Sequence, residues 1–172
     1  QAREALEFIW RKAKSLGVNR DQITVMGHSA GGHITQMMMG TKWAEFSAGL
    51  PADLVTAGIP ISPLSYLEPV RLTEALNAGI GMTAAEAESQ SPMVAHPPST
   101  NASQLVAVGG NETEEFHRQA QMYVDTFSSD DRSMEIYVVP DADHFDELNV
   151  LADLNSPFFS KTLDIVRSTN RF

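Results

Sequence analysis

The reading turns on Gly27-His28-Ser29-Ala30-Gly31, set within the run ITVMGHSAGGHI (23–34). Gln22–Met26 is a short β-rich run, carried by Ile23 and Val25, that ends at Gly27; from Ser29 to Met39 the chain has a helical pattern. A G-x-S-x-G set between strand and helix is the pattern of a nucleophile elbow. The serine there sits in strained backbone at a very tight turn, and glycines two residues to either side let the chain segments pass closely. Ala30 and Gly32 keep the crowding low as well. Such a turn lifts the Ser29 hydroxyl to the carboxyl end of the strand and aims a helix N-terminus at it, so that the Ala30 N–H can stabilise an oxyanion. The competing reading is a glycine-rich turn with a helix-capping serine, a pattern that chance supplies in roughly one chain of this length in twenty. The strand before and the helix after favour the elbow. Neither G-x-G-x-x-G nor G-K-S/T is present, which sets aside dinucleotide and phosphate loops.

Outward from the elbow, strands and helices alternate. Gln1–Leu16 reads as an amphipathic helix with Leu6, Ile9, Trp10 and Ala13 on one face and Gly17 as its stop. Residues 53–62 form a second apolar run, and the Pro-punctuated stretch 63–100 reads as loops with short helices. Gln104–Val108 predicts a third strand, Thr113–Phe127 a helix, Met134–Val139 a fourth strand and Phe158–Val166 a closing helix. This alternation predicts an α/β domain, a mostly parallel sheet with helices on both faces, spanning 1–172 as a single unit.

A serine nucleophile needs a base and an acid, and behind an elbow they follow in the order Ser, acid, His. His28 and His33 lie too close in sequence to swing onto Ser29, and His117 sits inside a helix. His96, in the loop before Pro97-Pro98, stays as an alternative. His144 follows the fourth strand in the loop DADHF (141–145) and is the expected base. The acid belongs after the third strand, in Gly109-Gly110-Asn111-Glu112-Thr113, where only Glu112 is acidic. From the pattern alone Glu112 reads equally well as a first-turn acid facing a helix dipole, with Asn111 as N-cap. Asp143 reads as a residue that shapes the histidine loop. Met37–Met39 read as core filler, and Trp43, Phe46, Tyr66 and Met93 as residues of loops that can line an acyl pocket.

Composition narrows the partners. Twelve Lys and Arg against 22 Asp and Glu leave a net charge of −10, which disfavours nucleic acid and anionic membrane. There is no cysteine, which excludes disulfides, thiolate metal sites and a thiol nucleophile, and fits a cytoplasmic location. No apolar run approaches the ~20 residues of a membrane span. Asp141, Asp143 and Asp146 lack the glycine at the sixth position of a calcium loop, so neither metal nor cofactor is expected.

Four blocks together resemble the α/β-hydrolases, within them the kynurenine formamidase (arylformamidase) and carboxylesterase group. They are GHSAGGHI (27–34), ISPLSYLEPV (61–70), GGNETEEFHRQA (109–120) and DADHF (141–145). The resemblance implies Ser29 as nucleophile, Glu112 as acid, His144 as base and Ala30 as an oxyanion donor. It implies a serine hydrolase acting on a small ester or an aryl formamide; a homodimer is the candidate assembly. It also places first strands and an H-G-G oxyanion loop before the elbow. Nothing in these 172 residues matches them, so the chain reads as the C-terminal two-thirds of such a domain. Where that group often has Asp at the acid position, this chain has Glu112; Pro63, Ser65 and Tyr66 also depart from it. The alternative expectation is a non-catalytic hydrolase remnant that binds a small molecule or a protein.

Overall fold

The computed structural model describes residues 1–168 of the chain. Helix α1 (Ala2–Leu16) stops at Gly17, whose φ of 67° lets its N–H turn back to the Ala13 and Lys14 carbonyls. Strand β1 (Thr24–His28) leads into α2 (Ala30–Met39), and a short α3 (Trp43–Phe46) follows. Strand β2 (Ala57–Ile61) precedes four short helices, α4 (Glu68–Leu72), α5 (Glu74–Ile80), α6 (Ala84–Ser89) and α7 (Pro92–Ala95). Then come β3 (Ser103–Gly109), α8 (Glu114–Phe127), β4 (Met134–Val139), α9 (Asp146–Ala152) and α10 (Pro157–Ser168).

The four strands form one sheet in the order β1-β2-β3-β4, every pair parallel. A parallel neighbour needs a crossover, and each crossover here carries helix across a face. Alternation decides which face each residue serves. Ile59, Ile61, Leu105, Ala107 and Val139 cluster with Phe158 of α10, with Val150 and Leu151 of α9 packed beside them. Val106 points the other way, into Ala120, Tyr123 and Val124 of α8. On that second face Gly58 lies under Met39 of α2, close enough that a Cβ would meet the sulfur at 2.7 Å. Helices therefore cover both faces, as the pattern predicts. The apolar stripe of α1 packs Leu6, Ile9 and Trp10 against Met37–Met39, which are the buried filler expected. Strand β1 lies at the sheet edge, with Met26 half exposed.

Two boundaries differ from the sequence reading, and two helices were not anticipated. β1 continues through Gly27 and His28, which pair with Pro60 and Ile61, so the strand ends at Ser29 itself. The apolar run 53–62 is strand only from Ala57; Leu54 and Val55 are buried in the α2 cluster without joining the ladder, so their apolarity reports burial. Helices α3 and α9 are too short to show a period.

Phe158 is fully buried where α10 meets the sheet. Phe158→Ala should cost about 3–5 kcal/mol of unfolding free energy, against under ~1 kcal/mol for the exposed Leu154→Ala, measured by urea denaturation.

Candidate active site

The site assembles at the carboxyl ends of β1, β2, β3 and β4. Ser29 carries φ 56° and ψ −116°, a conformation that side chains rarely adopt. Two backbone bonds hold it there: its N–H donates to the Ile61 carbonyl at 2.9 Å, and its own carbonyl accepts the His33 N–H at 3.0 Å. The close passage belongs to Gly27 and Gly32. A Cβ on Gly27 would meet the Gly31 carbonyl oxygen at 2.4 Å, and one on Gly32 the Ile61 carbonyl oxygen at 2.7 Å. Gly31, given equal weight with Gly27 in the sequence reading, has open space at its own Cβ position. Ala30 opens α2, so its N–H has no carbonyl four residues back within the helix.

The acid and histidine loops are zipped to each other. Gly110 N–H donates to the Val139 carbonyl at 2.8 Å and Asn111 N–H to the Ala142 carbonyl at 2.9 Å. Gly109 permits this approach, since a Cβ there would stand 2.6 Å from the Ala142 oxygen. His144 Nε2 lies 3.0 Å from Ser29 Oγ, and its Nδ1 lies 2.5 Å from Glu112 Oε1. Because Nδ1 faces a carboxylate it carries the hydrogen, which leaves Nε2 as the acceptor for the serine hydroxyl. The other Glu112 oxygen accepts the Gly109 N–H at 2.8 Å and a short bond from the Ser62 hydroxyl. The Glu112 side chain is sealed from solvent while the His144 ring is about a quarter exposed.

Of the residues expected from the sequence, the structure brings Ser29, His144 and Glu112 into hydrogen-bonding distance, and Ala30 follows Ser29 as the first residue of α2. The capping alternative for Glu112 does not hold: α8 starts at Glu114 with Thr113 as N-cap, and the Glu112 carboxylate turns to His144 instead. Asp143 shapes the loop as expected. Its carboxylate accepts the N–H groups of Asp146 and Phe145, and these two bonds hold its pKa below the ordinary value. His96 and His33 are spent on carbonyls of Ser89 and Gln90. Of the suggested pocket residues, Trp43 is buried in the α2 cluster and Met93 packs beside the α8 cluster. An apolar cavity of about 310 Å³ instead opens among Leu64, Pro69, Val70, Leu76 and Phe116. The Phe116 ring lies 4.9 Å from the His144 ring, centroid to centroid.

Three residues at the site escaped the sequence reading. Ser62, with φ 42°, offers its hydroxyl to Glu112, yet a serine after a strand carries no pattern of its own. Glu147 in α9 is completely buried, and His28 lies beside it with Nε2 3.1 Å from Oε1. Its position three after His144 looks like an ordinary first-turn helix acid. Nitrogen and oxygen atoms of His28, His144 and Glu147 come within 4.8 Å of one another. Both His144 nitrogens are already engaged by Glu112 and Ser29, which makes the cluster a poor chelate.

The BD-FAE family model matches residues 1–51, a stretch that contains the elbow. Over 132 residues the chain is 30% identical to kynurenine formamidase of Salmo salar, covering 74% of this chain and 44% of that protein. A candidate thioesterase from Silicibacter sp. tm1040 superposes with a TM-score of 0.65 at 29% identity, over 91% of this chain and 56% of the other. The acetyl ester-xyloside bifunctional hydrolase of Caldicellulosiruptor lactoaceticus superposes with a TM-score of 0.70 at 16% identity, over 97% and 64%. The chain has the α/β-hydrolase fold. Within that superfamily its resemblances are to the kynurenine formamidase- and esterase-like group, and it spans less than half the length of the curated relatives it matches. No helix among the described residues is long and apolar enough to cross a membrane.

In this α/β-hydrolase elbow the three glycines are not equivalent. Gly27→Ala and Gly32→Ala should each lower unfolding free energy by about 1–3 kcal/mol through overpacking against backbone. Gly31→Ala, in a helix with room for a methyl, should be neutral or up to ~1 kcal/mol stabilising. Denaturant midpoints of the three variants test the ranking.

Proposed function

We propose that this α/β-hydrolase is a serine hydrolase that cleaves a small carboxylic ester or an aryl formamide through an acyl- or formyl-enzyme. The observation that carries the proposal is the continuous line from Ser29 Oγ to His144 Nε2 (3.0 Å) and from His144 Nδ1 to Glu112 (2.5 Å). In the first step His144 Nε2 takes the Ser29 proton as Oγ attacks the substrate carbonyl carbon. Glu112 keeps the hydrogen on Nδ1 and stabilises the imidazolium that forms. The oxyanion accepts a hydrogen bond from the Ala30 N–H. Collapse of the tetrahedral species breaks the bond to the leaving alcohol or amine, which receives its proton from His144 Nε2. Water then enters on the same base, attacks the acyl carbon and restores the Ser29 hydroxyl.

The apolar cavity beside Phe116 favours an aryl or short alkyl group next to the carbonyl, because it supplies carbon surface within reach of the His144 ring. The kynurenine formamidase and ester hydrolase relatives support the same substrate classes. We further take residues 1–172 to be the part of the domain that carries the nucleophile, acid and base.

The test sets N-formylkynurenine beside p-nitrophenyl acetate, with the chain and its Ser29→Ala variant, and adds fluorophosphonate labelling. Ser29-dependent turnover is expected on at least one substrate, with labelling confined to Ser29. Loss of the hydroxyl should lower turnover by about 10³-fold or more. A Ser29→Ala variant that keeps a tenth of the rate, or a parent chain that neither labels nor turns over, would sink the serine mechanism.

A further inference from the structure

Below the triad-like line lies a carboxyl group that the proposed reaction does not use. Glu147 is completely buried, and neither of its oxygens is the acceptor of a well-aligned hydrogen bond. Buried polar groups in folded proteins nearly always have a partner, so this one points to a role. His28 supplies the link. Its Nε2 lies 3.1 Å from Glu147 Oε1 and 2.6 Å from the main-chain oxygen of His144, while its ring packs 4.5 Å from the His144 ring. A carbonyl oxygen can only accept, so His28 Nε2 carries the hydrogen.

We propose that Glu147 and His28 form a positioning pair: the sealed carboxyl packs against the His28 ring, and His28 Nε2–H holds the His144 main chain. This rests on the serine-hydrolase reading, since it concerns the imidazole that takes the Ser29 proton. His28 occupies the x position of G-x-S-x-G, so the strand that presents the nucleophile also grips the loop that presents the base.

The groups facing Glu147 set its charge. Burial pushes its pKa up to about 8, and Glu112 and Asp143 add to the rise; the Ser62 hydroxyl and Gly109 N–H, which bond to Glu112, lie near enough to offset part of it. Burial also lowers the His28 pKa. At neutral pH the pair is therefore a neutral acid beside a neutral imidazole. Above about pH 8 Glu147 ionises against Glu112, two like charges in one pocket, and the grip on the His144 loop loosens. Stability follows the same sign. The folded state keeps a proton that the unfolded chain, with an ordinary value of 4.5, releases, so stability present at low pH is lost as pH rises from about 4.5 through about 8.

The experiment compares the 172-residue chain with Glu147→Gln, Glu147→Leu and His28→Phe, reading the fluorophosphonate labelling rate at Ser29 from about pH 6 to 10 and thermal midpoints over the same range. The parent's labelling rate should fall about fivefold or more above about pH 8, while Glu147→Gln holds within about twofold of its own plateau and rescues the neutral-pH rate. Glu147→Leu and His28→Phe should label about tenfold slower at pH 7. The midpoint of Glu147→Gln relative to the parent should climb with pH. The pair is overturned if Glu147→Gln follows the parent's alkaline fall, or if the folded Leu and Phe variants label at the parent's rate. Should one of these two fail to fold, the other and the Gln profile decide. Should the parent not label at all, the serine-hydrolase reading fails by itself, and proton NMR decides the pair. The downfield His144 Nδ1–H resonance should then move in the Leu and Phe variants but not in Gln, and an unmoved resonance overturns the positioning role.

Discussion

The carboxylate of Glu112 is the point on which the site depends. Its two oxygens take hydrogen bonds from His144 after β4, from Ser62 after β2 and from Gly109 at the end of β3. Three strand ends are thus fixed on one buried group, and the fourth, β1, joins through Ser29 on His144. A buried carboxylate is costly unless it is well supplied with donors, and here three donors are preset by the parallel register. The zipping of Gly110 and Asn111 onto the histidine loop keeps the distance between acid and base from varying.

Much of this was legible in the sequence because the relevant signals are local. The elbow is written in five consecutive residues. Strand β4 and helix α8 are long enough for their periods to show, and the order Ser, Glu, His follows from a constraint on topology. What was not legible depends on which face a residue meets after folding. Gly32 and Gly31 look alike in sequence, yet only Gly32 lies against the Ile61 carbonyl. Trp43 looks like a pocket residue in a loop and is instead core, because α3 folds it back under α2. Glu147 carries the ordinary sign of a helix start, and nothing in its neighbours forecasts that the carboxyl is sealed beside His28.

The comparisons separate what the fold settles from what the side chains must. A structure with 16% identity shares the arrangement of strands and helices, so the arrangement alone does not fix a substrate. Leu64, in the loop after β2, Val70 of α4 and Leu76 of α5 line one apolar cavity with Phe116 of α8. The stretch between β2 and β3 is also the longest crossover among the described residues.

Among the described residues three non-glycine positions hold positive φ, namely Ser29, Ser62 and Asp141, and all three stand just past the carboxyl ends of β1, β2 and β4. Each such conformation costs on the order of 1–3 kcal/mol and persists only where the surroundings overdetermine it. The surroundings here are the completed parallel ladder, whose strands meet only after long crossovers have closed. The site therefore cannot form ahead of the sheet. Disturbing the sheet removes the contacts that hold these turns, so the backbone at Ser29 doubles as a report on the integrity of the whole ladder.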